Sequence, residues 1–389
     1  MGYQDLSGNW NLPTSIVAGE GTIAQLPDCC KQLGMVRPLM VTDPGLAVLP
    51  MVEAALAGCR SDGIEAGLFS NIKSNPCGQN VADGVLAFAA GGHDGIIAFG
   101  GGSAIDAAKA IALMVGQQRP LWDFVDLGDN WLRAEESGIA TIIAVPTTAG
   151  TGSEVGRAAL ITDEERHVKS IIFHPRLLPA RVILDPALTV GLPANITAAT
   201  GMDALSHNLE ALCSPVYHPM AEGIAVEGIR LIGEHLLQAV ENGGDIAARM
   251  HMLTASSMGA TAFQKGLGAM HALAHPLGAL YDAHHGLLNA VLMPYVLLAN
   301  RSVVGEKLER AARYMNLRAP GFDSFLDWVL RLRASVAIPH TLRELGIDDS
   351  RAELVGQMAV ADPTAATNPA PLGARQYAEL FSRAVNGHM

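Results

Sequence analysis

"IIAFGGGSAIDAAKAIA", residues 96–112, reads as an apolar run, three glycines and a serine, then an alanine-rich segment with helical spacing. Ile96–Phe99 has the composition of a buried strand, and the residues after Ser103 have that of a helix. Gly100, Gly101 and Gly102 stand between them, where the chain turns sharply and no Cβ blocks an approaching ligand. A strand passing straight into a helix is the repeating unit of a parallel α/β sheet. The same alternation recurs around it. Strands are expected at 37–43, 67–70, 94–100, 140–146 and 180–185, with helices at 78–92 and 103–116. Residues 159–174, two apolar runs around a charged turn, read as a β-hairpin, and the polar, aromatic stretch 119–138 as a surface excursion. After about residue 190 the strand signals stop and helical periodicity takes over. The expected architecture is an α/β dinucleotide-binding domain with a mostly parallel sheet at 1–190, and an all-helical metal-binding domain at 191–389.

Composition narrows the classes. A chain of 389 residues that is 49% hydrophobic and 16% charged has an ordered, buried core rather than disorder. A formal net charge of −12 repels nucleic acid and anionic membranes, so neither is an expected partner. The five cysteines fit no zinc or disulfide spacing, and "MGYQDLSGNW" lacks the form of a secretory leader. The expected location is the cytoplasm.

The glycine loop opens a helix, whose unpaired N–H groups and partial positive charge suit a phosphate. It lacks the G-x-G-x-x-G spacing, so a tight turn without a ligand fits it too. Asp43, in "VTDPG" after another strand, is placed either to accept from a ribose diol, which favours NAD over NADP, or to cap a helix. "PTTAGTGSEV", 146–155, adds a second loop rich in glycine and hydroxyls at a strand end.

The helical half carries a different chemistry. "GMDALSHNLEA", 201–211, sets Asp203 and His207 four apart, on one helix face. "HALAHPLGALYDAHHG", 271–286, holds four of the chain's thirteen histidines, with His271 and His275 at the same spacing. One carboxylate and three imidazoles suit a divalent transition metal with a position left open for a substrate oxygen. Asp282 is a second-choice ligand, and the remaining histidines read as solvated or locally hydrogen-bonded.

Together "GGGSAIDAAKAIA", "PTTAGTGSEV", "GMDALSHNLEA" and "KGLGAMHALAHPLGALYDAHHGLLNA" resemble the iron-containing (group III) alcohol dehydrogenases, from the first strands to the "NPAP" region. The resemblance implies a metal in the cleft between the two domains, held by Asp203, His207, His271 and His285. It implies that His275 serves proton transfer. It places NAD on Asp43, Asn75, Gly101, Gly102, Ser103, Thr147, Thr148, Thr151 and Lys169. The metal expected is Fe²⁺, with Zn²⁺ or another divalent ion as alternatives, and a homo-oligomer, dimer or higher, is expected. The chain departs from the family at Gly156 and Arg157, and at His284, which leaves the last ligand open between His284 and His285; Gly286 favours His285.

The activity implied is NAD-dependent interconversion of an alcohol and an aldehyde or ketone. Alternatives are a glycerol-dehydrogenase-like, dehydroquinate-synthase-like or maleylacetate-reductase-like enzyme, and a non-catalytic nucleotide-binding protein. Arg157 and Lys265 are the basic candidates for a charged substrate.

Overall fold

The computed structural model describes residues 14–166 and 168–389. The leader reading and His167 fall outside them. The chain forms two compact units. One runs to Thr148 and resumes at Gly152–Gly191; the other joins Ala149–Thr151 to Leu192–Met389.

The first unit is built on a parallel sheet. Its strands are β1 (Ser15–Ala18), β2 (Leu39–Val41), β3 (Gly67–Phe69), β4 (Ile96–Gly100), β5 (Ile142–Pro146) and, after a hairpin, β8 (Arg181–Leu184). Their order is β1-β8-β5-β4-β2-β3. The hairpin is β6 (Ala158–Asp163) paired antiparallel with β7 (Val168–Phe173), where the charged turn predicts it. β4 and β5 are buried at every position, as strands covered on both faces must be, so they read as unbroken apolar runs. Among the described residues β1 lies at the edge and pairs with β8; it is mostly exposed, and its four residues, Ser-Ile-Val-Ala, are too few to show a pattern and are not among the expected strands. The connecting helices are α1 (Leu26–Gln32), α2 (Pro44–Ala47), α3 (Pro50–Ser61), α4 (Gly78–Gly91) and α5 (Gly102–Met114). From β2 the chain steps outward to β3, then returns to β4 on the other side of β2. The carboxyl ends of β2 and β4 thus flank the point where strand order reverses, the place in open α/β sheets where ligands bind.

Two side chains, Lys109 buried and Asp106 partly buried, tie this unit together. Lys109 on α5 is fully buried, and its ammonium donates to the Ser153 carbonyl, to Ser153 Oγ (3.0 Å) and to the carbonyls of Gly156 (2.9 Å) and Ala158 (3.1 Å). Asp106, one turn earlier, accepts from Ser153 Oγ at 2.5 Å and from the Leu160 amide at 3.0 Å. Arg157 extends over the Phe173 ring, 5.4 Å from its centroid.

The second unit is helical among its described residues: α6 (Ala194–Cys213), α7 (Pro219–Glu241), α8 (Ile246–Ala262), α9 (Ala269–Tyr281), α10 (His285–Tyr314), α11 (Phe322–Ser335), α12 (Ala352–Ala361) and α13 (Ala374–Asn386). α6 is its axis. Every residue from Gly201 to Cys213 is buried, and α7, α8 and α10 pack around it. α10 is long and apolar enough to cross a membrane, but 67% of its most apolar window is buried within this unit, as in a core helix.

The carboxyl end of α6 is capped by two lysines. Lys265 donates to the carbonyls of Ala211 (3.1 Å), Leu212 (3.3 Å) and Ser214, and Lys307 to those of Leu212 (3.0 Å) and Ser214 (2.7 Å); Glu222 pairs with both. The free carbonyls and negative end of the helix dipole draw cations there. This corrects the expectation that Lys265 offers its charge to a substrate: the side chain is a buried helix cap.

Candidate active site

The helical unit brings together the residues that the sequence offered as metal ligands. One donor atom from each of Asp203, His207, His271 and His285 lies within 4.8 Å of the other three. Asp203 and His207 come from adjacent turns of α6, His271 from the first turn of α9, and His285 from the first residue of α10. Gly286 lets α10 begin against α6. A Cβ there would lie 2.7 Å from the Ala199 carbonyl oxygen and 2.9 Å from Asp203 Cβ, so any side chain would push His285 away from Asp203. His284 does not join the group. It is exposed, and its Nδ1 accepts from the Leu287 amide at 3.3 Å as the N-cap of α10. Asp282 is also outside the group, in a left-handed turn at the end of α9.

The imidazoles are oriented from behind. His207 Nδ1 lies 3.2 Å from the Gly150 carbonyl oxygen, and His271 Nδ1 lies 2.7 Å from a carboxylate oxygen of Glu210. An imidazole whose Nδ1–H is engaged this way presents an unprotonated Nε2, the tautomer that a metal needs. Burial, then the neighbouring His207 and His275, hold His271 well below the usual histidine range, so it is neutral at pH 7. Glu210 is buried, which pushes its carboxyl up to about 7, while the Met270 and Gly268 amides, donating to it at 2.7 and 2.8 Å, oppose that rise. A carboxylate and three imidazoles gathered within 4.8 Å, with His207 and His271 held by acceptors behind their rings, fit a divalent iron or zinc ion.

His275, one turn after His271, stands beside this group. Its ring stacks on that of His285, with centroids 5.4 Å apart and planes 13° apart, and its Nδ1 lies 2.8 Å from Asp362 Oδ2. Asp362 in turn accepts from the Thr364 amide and hydroxyl. The carboxylate therefore fixes the ring and leaves Nε2 for chemistry.

In the sheet unit, several residues expected at the nucleotide gather at neighbouring strand ends. Asp43 follows β2, Gly101–Ser103 follow β4, and Thr147 and Thr148 follow β5. Gly101 abuts Thr148, where a Cβ would come within 3.3 Å of the threonine side chain. Gly101 caps α5 without a side-chain hydrogen bond, which leaves the first amides of that helix to a diphosphate. Asp43 caps α2 through Oδ1, accepting from Gly45 and Leu46 at 2.9 and 3.0 Å. Its Oδ2 lies on the Gly100 side, 3.8 Å from where a Cβ of Gly100 would be. Both readings of Asp43 are therefore compatible with its geometry. Lys169, on β7, donates to Asn75 Oδ1 at 2.6 Å, so these two form a pair. Thr151 belongs to the segment grouped with the helical unit.

Four groups around the cluster have no place in the sequence reading: Glu210, Asp362, the Gly150 carbonyl and Asn289. Glu210 could have been found, because it lies seven residues after Asp203 on the same helix face. Asp362 is 87 residues from His275, and no local pattern joins them.

Known proteins match the whole of this arrangement. The model of the iron-containing alcohol dehydrogenases matches residues 13–186, and that of the C-terminal region of the same family matches residues 197–385. The 4-hydroxybutyrate dehydrogenase of Cupriavidus necator is 36% identical over 375 residues, covering 94% of this chain and 96% of that protein. The 1,3-propanediol dehydrogenase of Citrobacter freundii matches with the same identity and coverage. A crystal structure of a 1,3-propanediol oxidoreductase superposes with a TM-score of 0.92 at 36% identity, covering 97% of this chain and 99% of that one. An iron-containing alcohol dehydrogenase from Thermococcus thioreducens gives a TM-score of 0.88 at 26% identity, covering 97% of this chain and all of that one. With a nucleotide-type sheet unit, a helical unit holding a fitting donor set and family matches across both, the chain belongs to the iron-containing alcohol dehydrogenases, NAD-linked oxidoreductases that work by metal-assisted hydride transfer.

Proposed function

We propose that this enzyme interconverts a short, unbranched primary alcohol bearing a second polar group at its far end, a diol or an ω-hydroxy acid, with the corresponding aldehyde. The substrate class rests on two relatives at 36% identity, one named for a 4-hydroxy acid and the other for a 1,3-diol. The observation that carries the reading is the gathering of four donor atoms with His275 stacked against one of them.

In this reading Asp203, His207, His271 and His285 hold a divalent iron. Bound there, it supplies Lewis acidity toward an alcohol or carbonyl oxygen. Glu210 and the Gly150 carbonyl fix the rings of His271 and His207. His275 Nε2 takes up or returns the hydroxyl proton, with Asp362 holding its ring. Buried helix surface covers Asp203, His207 and His271, while His285 stays partly exposed. Asp43, Asn75, Gly101, Gly102, Ser103, Thr147, Thr148, Thr151 and Lys169 would hold the dinucleotide, whose nicotinamide would supply the hydride chemistry. Asp43, at the end of β2, favours NAD over NADP. The protein acts in the cytoplasm as a homo-oligomer.

The test is a panel of aldehydes with NADH or NADPH, using protein loaded with Fe²⁺ or Zn²⁺ without oxygen. Three- and four-carbon aldehydes with a terminal hydroxyl or carboxylate are expected to exceed acetaldehyde at least about tenfold in kcat/KM, each polar contact supplying roughly that factor. Equal or better turnover of acetaldehyde overturns the substrate class.

A further inference from the structure

Asn289 lies one turn after His285 on α10 and is fully buried. Its amide nitrogen faces the donor set. Nδ2 is 2.9 Å from Asp203 Oδ1, 3.2 Å from His271 Nε2 and 3.2 Å from His285 Nε2. Its carbonyl oxygen has no hydrogen-bond partner among the described residues, so the nitrogen alone anchors the amide. The opposite orientation would set the carbonyl oxygen against the Asp203 carboxylate, which repels it. An N–H-bearing group thus sits at the point where three acceptors converge.

We infer that Asn289 is a displaceable stand-in for the metal: its two N–H groups, shared among three acceptors, hold the donor atoms together without a cation, and its contacts to the two imidazoles must be given up when a metal binds. The argument is one of lone pairs. An imidazole Nε2 has one, which is given to an N–H or to a metal but not to both. The bonds to His271 and His285 are therefore exclusive with ligation. The bond to Asp203 is not, because a carboxylate oxygen keeps further lone pairs. Asn289 stabilises the metal-free state more than the loaded state, so by linkage it weakens metal affinity. In return it keeps the four donors gathered without a cation, where bare lone pairs would otherwise face one another in a dry interior. Asn289 is a positioning residue in this role, acting through the ligands. The inference rests on the four-residue ligand set.

The experiment measures Zn²⁺ affinity by competition with a chromophoric chelator, on the wild type and on Asn289→Leu, which keeps the volume and removes the N–H groups. The variant is expected to bind Zn²⁺ about tenfold more tightly, the size of a net hydrogen-bond loss confined to the metal-free state. Its metal-free form is expected to melt lower, with a larger upward shift on adding Zn²⁺. Unchanged or weaker affinity overturns the inference. Asn289→Ala repeats the measurement should the leucine variant not fold. Crystal structures of the wild type with and without Zn²⁺ give an independent readout: Nδ2 must leave at least one imidazole in the loaded form. An amide still bonded to both rings beside a bound Zn²⁺ overturns the inference. A wild type that binds neither Zn²⁺ nor Fe²⁺ removes the ligand set itself, whereas a binding wild type with an unaltered variant removes only the role of Asn289.

Discussion

The two units each bury a polar cluster, and the clusters are built in opposite senses. In the sheet unit, Lys109 has every donor answered by Ser153, Gly156 or Ala158, and Asp106 is answered by Ser153 and Leu160. Burial pulls Lys109 down to about 8 and raises Asp106, while their attraction opposes both shifts. That cluster is closed, and its bonds run from α5 to the 153–160 segment as a strut. In the helical unit, the hydrogen bonds of Glu210 and Gly150 lie behind the imidazoles, and acceptor atoms converge inward. That cluster is open except for the Asn289 amide, which meets three of its acceptors. A buried polar group satisfied on all sides holds a fold together; one whose acceptors meet at a point is arranged for a guest.

This contrast can be broken most directly at His207. His207→Ala is expected to lose metal binding and turnover together, by at least about a thousandfold in kcat/KM, because Lewis-acid assistance is lost whole. Metal analysis of the purified variant beside an NADH assay checks it. A metal-free variant that keeps full activity would put the open cluster outside the chemistry. The closed cluster should fail differently. Lys109→Met leaves the carbonyls of Ser153, Gly156 and Ala158 without their shared donor and should cost about 1–3 kcal/mol of stability. Urea unfolding measures that loss, and the surviving folded protein should hold metal as the wild type does. Weakened metal binding at unchanged stability would erase the distinction. The smallest effect belongs to Asp362→Asn, which keeps the shape but removes the charge behind His275. It should lower kcat about tenfold, a fraction of what general acid–base catalysis contributes, and leave metal content intact. A loss of metal instead would assign Asp362 to the open cluster.

The architecture was legible because its signals are local. Ile96–Gly100 and Ile142–Pro146 are buried on both faces and so are apolar throughout, and the 159–174 hairpin carries its own charged turn. β1 was not legible, since an exposed edge strand of four residues has no alternation to read. Asp203 with His207 and His271 with His275 each share a helix face, so their spacing pointed to the site. The spacing from His271 and Gly286 already favoured His285 over His284, and the structure adds the reason, because one begins a helix against α6 and the other caps it. Of the groups behind the rings, Glu210 shares the helix face of Asp203 and could have been found, but its pairing with His271 and that of Asp362 with His275 were hidden. Glu210 meets His271 across 61 positions and Asp362 meets His275 across 87, distances at which sequence spacing carries no geometry. Lys265 misled for a similar reason: a lone basic residue in an apolar stretch does not disclose the helix end it caps.

Those long separations also bear on how the donors come together. Asp203 and Asn289 meet across 86 residues, with α7, α8 and α9 folded in between. Closing a loop of that length carries an entropic cost that only docked helices recover. A chain with its helices formed but not yet packed would have normal helicity and no gathered donors. Holding a metal on all four donors therefore requires α6, α9 and α10 to be docked, not merely formed.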